Sequence, residues 1–175
     1  MSTSAPDLLE PVVGFREWLI VRGCLTSPYI PFRWEERTVR ARCFPANRNL
    51  QFGRGWVDEP HAAPHARCKC GIYALHRPRS ATPFPDADRV WGVVSAWGRI
   101  EVHSDGIRAE HARVEALSLE GGERRRDESA LRRIAAWLGV ELVERDDLPA
   151  VAAHCGSPLP DEVIAGASTR LPGAA

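Results

Sequence analysis

An excess of charge of one sign is missing from this sequence: 23 Lys and Arg stand against 23 Asp and Glu, for a formal net charge of zero. The chain as a whole therefore has no long-range pull on phosphate backbones or anionic lipid, although a local basic patch stays open. Long apolar runs are also missing, so no bilayer-spanning segment is expected. The first 11 residues are polar and acidic, with no basic flank leading into an apolar stretch. No signal peptide and no membrane partner are expected, and the expected location is the cytoplasm. Tyrosine is scarce, with two against six tryptophans, and indoles in that number point first to a core and second to a stacking surface. No internal repeat is visible.

Five cysteines are present, an odd number, and two lie one residue apart at Cys68 and Cys70. That usage fits a reducing compartment and metal ligation better than a disulfide framework. The stretch from His61 to Ala74 holds two imidazoles and two thiols, and it is the chemical centre of the chain. Thiolate and imidazole donors arranged as a tetrahedron suit a borderline-soft cation such as Zn²⁺, with an iron–sulfur centre as the alternative. Cys68 and Cys70 supply a local pair, and His61 is near enough to fold back over Pro64. Thr38 to Cys43 alternates as a half-buried strand and delivers Cys43 to the inner face, completing a Cys₃His set. His65 competes with His61 as the imidazole. The Cys-x-Cys spacing is tighter than usual and asks for a backbone turn, for which Gly71 supplies the freedom. Two other readings stay open. The thiols could be reduced core cysteines, or one could be a nucleophile with a histidine base, although no orienting third group is evident.

The remaining elements follow from periodicity. Phe15 to Arg22 reads as a strand broken by Gly23, and Ile72 to Leu75 as a short strand. Residues 45–60 read as a long loop, and the proline-rich stretch 78–88 as a linker. Arg89 to Glu110 reads as a hairpin, with Asp105-Gly106 as the two central residues of its turn. In that register Glu101 stands opposite Glu110 and His103 opposite Arg108, and Gly98 marks a bulge. Glu101, His103, Arg108 and Glu110 share the polar face, with Trp97 and Arg99 further along it. These six form a candidate ligand-binding face. The bland alternative is a solvated face laced with weak ion pairs. His76, His111 and His154 read as surface or satisfied core histidines, with His111 a polar group in need of a partner if it faces inward. Cys24 and Cys155 read as small buried hydrophobes.

After a charged connector over 121–126, Asp127 caps a helix whose Leu131, Ile134, Ala135 and Leu138 lie on one stripe, stopped by Gly139. Val140 to Glu144 reads as a short strand, and Asp147 with Pro149 starts a second helix stopped by Gly156. The expected organisation is a flexible tail over 1–11, a β-rich metal-binding domain over 12–120, and an α-β-α extension over 121–160 packed on it. A flexible tail over 161–175 completes it. The fold class is α+β: a mostly antiparallel sheet or partly closed barrel, covered at one side by two carboxy-terminal helices.

Three motifs together resemble a family of small uncharacterised bacterial proteins: Gly14-x-Arg16-x-Trp18; Cys43 with His61-x-x-Pro64-x-x-x-Cys68-x-Cys70-Gly71-Ile72-Tyr73-Ala74; and Trp97-Gly98-Arg99-Ile100-x-x-His103-x-x-Gly106-x-Arg108-Ala109-Glu110. The resemblance covers roughly residues 12–117. It implies no activity, but it favours His61 over His65 as the ligand.

The function expected is a zinc-stabilised binding or interaction module whose partner is a protein or a small molecule. The alternative is a metal-dependent or acid–base enzyme, hydrolase-like, working through His103, Arg108 and Glu110 or through an open metal position. A nucleic-acid module ranks third. Its candidate patch is Arg124, Arg125, Arg126, Arg132 and Arg133, which lies beside Glu and Asp residues and reads as a solvated face.

Overall fold

The computed structural model describes residues 10–28, 32–43, 60–79, 88–119, 128–167, 169 and 171. The expected 1–9 part of the tail, the loop over 45–59, the connector over 121–126 and the Asp127 cap lie outside the described residues.

Among the described residues eight strands form one mixed, mostly antiparallel sheet, followed by short helices, so the fold is α+β. Strand β1 (Val12–Val21) turns into β2 (Cys24–Thr26) through Arg22 and Gly23, at φ 51° and 73°. Both central positions are thus left-handed, as a tight hairpin with the native strand twist requires. Strand β3 (Arg33–Trp34) adds to β2. The long strands β6 (Arg89–His103) and β7 (Gly106–Leu119) make the central hairpin, and β1 runs antiparallel to β6.

The other edge of β7 is shared by three short strands in series. It pairs with β5 (Ile72–Leu75) over residues 106–109, with β4 (Thr38–Arg40) over 111–113, and in parallel with β8 (Glu141–Glu144) over 116–119. Strand β5 also pairs with β1 at Phe15 and Leu75, which closes a hydrogen-bonded ring β1–β5–β7–β6. The end of β4 and the start of β5 therefore meet beside Ala109 to His111. The chain leaves the sheet after Arg40 and rejoins it at Ile72, with the Ala41 N–H still bonded to the Glu110 carbonyl at 2.7 Å. Residues 41–71 thus connect two neighbouring strand ends, and the described feet of this excursion, 41–43 and 60–71, lie side by side.

Helix α1 (Glu128–Leu138) buries the predicted stripe, Leu131, Ile134, Ala135 and Leu138. It stops at Gly139, at φ 63°, with the Val140 N–H bonded back to the Ala135 carbonyl, the bond of a left-handed helix end. Helix α2 (Leu148–Cys155) carries Pro149 in its first turn, and α3 (Asp161–Ala165) follows. The helices do not share one side of the sheet, as the sequence reading had them. The α1 stripe joins Val12, Trp18, Val90 and Val94, while Leu148 and Ala152 of α2 join Val13, Phe15, Trp91 and Val93. Alternate residues of β1 and β6 thus feed two cores, because both faces of these strands are apolar.

Residues 161–167, 169 and 171, within the expected tail, carry α3 and contacts to the hairpin turn. Beyond α3, Leu171 is buried, its N–H bonds the Asp105 carboxylate at 2.8 Å, and the Thr169 carbonyl accepts from the Ser104 N–H at 2.8 Å. No helix among the described residues is long and apolar enough to cross a membrane.

Candidate metal centre

The two feet of the 41–71 excursion carry the donors. Cys43 follows β4, where exposure alternates from Thr38 onward as the sequence predicts, and Cys68 and Cys70 precede β5. The Cys43 and Cys68 sulfurs lie 3.7 Å apart, and His61 Nε2 lies 3.4 Å from the Cys70 sulfur. One donor atom from each of Cys43, His61, Cys68 and Cys70 falls within 4.8 Å of all the others. Zinc–ligand lengths in a regular tetrahedron put sulfurs about 3.8 Å apart and sulfur about 3.6 Å from nitrogen. The spacing fits that geometry and is far too long for a disulfide, and all five cysteines are free thiols.

His65 is not in the group. Its ring lies 4.7 Å from that of His61, and its Nδ1 accepts the Arg67 N–H at 3.3 Å. The chain bends on both sides of the pair, at Cys68, whose N–H bonds the His65 carbonyl at 2.9 Å, and at Gly71, and both thiols turn to the donor group. Both cysteines are buried, and Lys69 between them is half-buried. Gly71 bends the chain after the pair, at φ 127°, where a Cβ would meet those of Pro64 and Arg108 at 3.1 and 3.2 Å.

Crowding the thiols without a cation makes Cys43 and Cys70 harder to ionise. Burial first, then the neighbouring Cys68, pushes Cys43 up to about 11 and Cys70 up to about 12. A divalent cation at the centre reverses that preference, since a coordinated thiol is deprotonated.

The hairpin beneath the loop differs from the sequence reading in register and in exposure. His103 pairs with Gly106 and Glu101 with Arg108, a shift of two residues that makes Ser104 and Asp105 the turn. Gly106 serves close approach instead of turn geometry: a Cβ there would come within 2.3 Å of the Ala74 carbonyl oxygen. The shift replaces two opposed carboxylates with an ion pair. Glu101, His103 and Arg108 are 8 %, 7 % and 3 % exposed, so this part of the face is buried under the cysteine loop, not solvated.

Arg108 organises the contact. It ion-pairs with Glu101, donates from Nη1 to the carbonyls of Cys68 and Cys70 (3.1 Å to the latter), and donates from Nε to His103 Nε2 at 3.2 Å. Since guanidinium only donates, His103 Nε2 accepts, and the ring proton sits on Nδ1, which faces the Thr169 hydroxyl at 3.2 Å. Burial, then the Arg108 charge, holds the His103 pKa below the ordinary value, so the imidazole is neutral. Tyr73, opposite Arg108, donates to the Lys69 carbonyl at 2.6 Å, and burial pushes its phenol up to about 12.

The rest of the six-residue face lies outside the loop. Gly98, at φ 78°, is the expected bulge. Beyond it Trp97 pairs with His111 and stacks on it, with ring centroids 5.7 Å apart. The Nδ1 of His111 is buried without a hydrogen-bond partner. Glu110 bonds Arg40 at 2.9 Å and the Arg99 N–H at 3.4 Å. Burial raises the Glu110 pKa, but these donors and the neighbouring charges outweigh it and hold the group ionised. Arg99 reaches the Pro64 carbonyl at 3.3 Å. Of the single histidines, His76 bonds the His103 carbonyl and His154 the Ala150 carbonyl, both satisfied as expected. Cys24 and Cys155 are half-buried, not core thiols.

What sequence reasoning missed is the role of Arg108 as the clamp on the cysteine loop. The one signal was its place opposite His103 in the expected register of the same motif. Searches against protein-family models, curated proteins and solved structures return no match for this chain.

Proposed function

We propose that this protein is a zinc-stabilised binding module, with Zn²⁺ held by Cys43, His61, Cys68 and Cys70 and the adjoining sheet face as its binding surface. The observation that carries the reading is the convergence of four soft donors, from both feet of one excursion, within 4.8 Å. Four protein ligands fill a tetrahedral shell and leave no position for a reacting water, which favours a structural centre over the hydrolase-like alternative. The compact spacing suits one ion, whereas an iron–sulfur cluster spreads its thiolates more widely and prefers four cysteines. Reduced thiols in a centre of this kind suit the cytoplasm.

The metal acts as a clip at the base of the excursion. Without it, three crowded thiols must be buried protonated, and the loop closes at the full entropic cost of its length. The test is elemental analysis of protein purified without added metal, followed by chelation. One zinc per chain, lost together with cooperative folding on chelation and reduced in Cys43→Ser, supports the reading. Full occupancy in Cys43→Ser, or a fold indifferent to chelation, overturns it.

A further inference from the structure

The strip of sheet between the cysteine loop and α2 gathers positive charge around an aromatic pair. Residues opposite one another on antiparallel strands project to one face. Arg40 stands opposite His111, and His111 opposite Trp97, so the three form one row across β4, β7 and β6. The Trp97 and His111 rings stack at an interplanar angle of 8°, and both residues are half-exposed although His111 Nδ1 is buried. Arg42 follows Arg40 by two residues and adjoins Cys43, Arg67 adjoins Cys68, and the Arg99 guanidinium touches the same loop at Pro64. Arg40, Arg42, Arg67 and Arg99 are all exposed. Among the described residues Arg42, Arg67 and Arg99 have no side-chain ion-pair partner, and Glu110 opposes the patch while already engaged by Arg40.

A patch of this composition does two jobs at once. Exposed guanidinium groups spaced along a loop and a strand edge match the charges of a phosphate backbone, and a half-exposed indole beside them offers a stacking platform for an unpaired base. An acidic protein surface matches the charges as well, and a charged competitor without bases separates it from a stacked base. Resting on the reading of this sheet face as a binding surface, we propose that it binds single-stranded nucleic acid, with Trp97 stacking on a base and Arg42, Arg67 and Arg99 contacting phosphates. The metal centre is then the rigid base that presents Arg42 and Arg67. The neutral chain carries a local electropositive surface that its total charge conceals.

The test is fluorescence anisotropy of the full-length, metal-loaded protein with oligothymidylate and oligouridylate of about 20 nucleotides. Polyglutamate serves as a charged competitor without bases. Binding is expected to weaken with salt at a log–log slope of about −2 to −3 for three to four phosphate contacts. Oligonucleotide should quench tryptophan emission. Trp97→Leu, which keeps an apolar side chain and removes the stacking ring, should lose about tenfold or more in affinity. Arg42→Gln and Arg67→Gln should each reduce the salt slope by about 1 without altering metal content. Equal competition by polyglutamate, an unchanged affinity in Trp97→Leu, or no binding at low salt overturns the proposal. Metal content measured on the same samples separates the two readings: full zinc without oligonucleotide binding removes this inference and leaves the structural centre standing.

Discussion

Arg108 and Glu101 stand directly opposite one another on β7 and β6, both buried, and the same guanidinium holds the carbonyls of Cys68 and Cys70. The backbone of the cysteine loop is thus tied to the hairpin by a side chain bonded to the carbonyls of two donor residues. Outer partners of this kind orient ligands and tune metal affinity.

Removing Arg108 is expected to be costly in two ways. Arg108→Met leaves the Glu101 carboxylate buried and unpaired, which should destabilise the fold by about 3–5 kcal/mol. It also frees two carbonyls at the loop, and zinc affinity should fall by about 10–100-fold. Combining it with Glu101→Leu should recover part of the stability and little of the affinity, because only the first deficit is a stranded charge. Denaturant titration and competition with a chromogenic chelator read the two effects separately.

His61 and His65 give a clean contrast, since their rings are neighbours and only one belongs to the donor group. His65→Ala should retain one metal per chain. His61→Ala should bind more weakly, with an open coordination position that takes up an added imidazole. Elemental analysis after dialysis against a weak chelator measures the difference, and equal loss in both variants contradicts the assignment.

The stability should respond to acid through His103. Its folded-state pKa lies below the ordinary value of 6.5, through burial and the Arg108 charge. The unfolded chain therefore takes up the proton first as pH falls, and that contribution is complete above about 6.5 and lost on descending through the folded value. His103→Gln preserves an acceptor for Arg108 and removes the titration. The melting temperature of the wild type should drop relative to this variant below about pH 6.5 and run parallel to it above. Parallel curves throughout would exclude the effect.

Leu171 tests whether the carboxy-terminal segment is part of the fold. It is 4 % exposed, and its N–H bonds Asp105 at the hairpin turn. Leu171→Ala should cost about 2 kcal/mol, at the low end for a buried leucine because a chain end relaxes readily. In a chain of this size that lowers the melting temperature by about 4–8 °C. No change would mean that the segment is not docked in solution.

Much of this architecture was legible because its signals are local. The 72–75 strand, the apolar stripe of α1 with Gly139 as its stop, and the alternation that carries Cys43 inward are properties of a few consecutive residues. The hairpin turn misled because Asp105-Gly106 is a strong turn signal by itself, yet Gly106 was needed where β5 crosses close to it. The β1–β2 hairpin was missed since arginine is an uncommon residue at a left-handed position.

By itself the sequence determined the donor chemistry: which residues are thiols and imidazoles, how closely His61, Cys68 and Cys70 follow one another, and which face of its strand Cys43 takes. Only the tertiary structure decided that the polar hairpin face is split, with Glu101, His103 and Arg108 sealed beneath the cysteine loop and Trp97, Arg99 and Glu110 left beside it. Periodicity separates the two faces of a strand. What comes to lie over each face is set by chain distant in sequence, and neither spacing nor propensity encodes that.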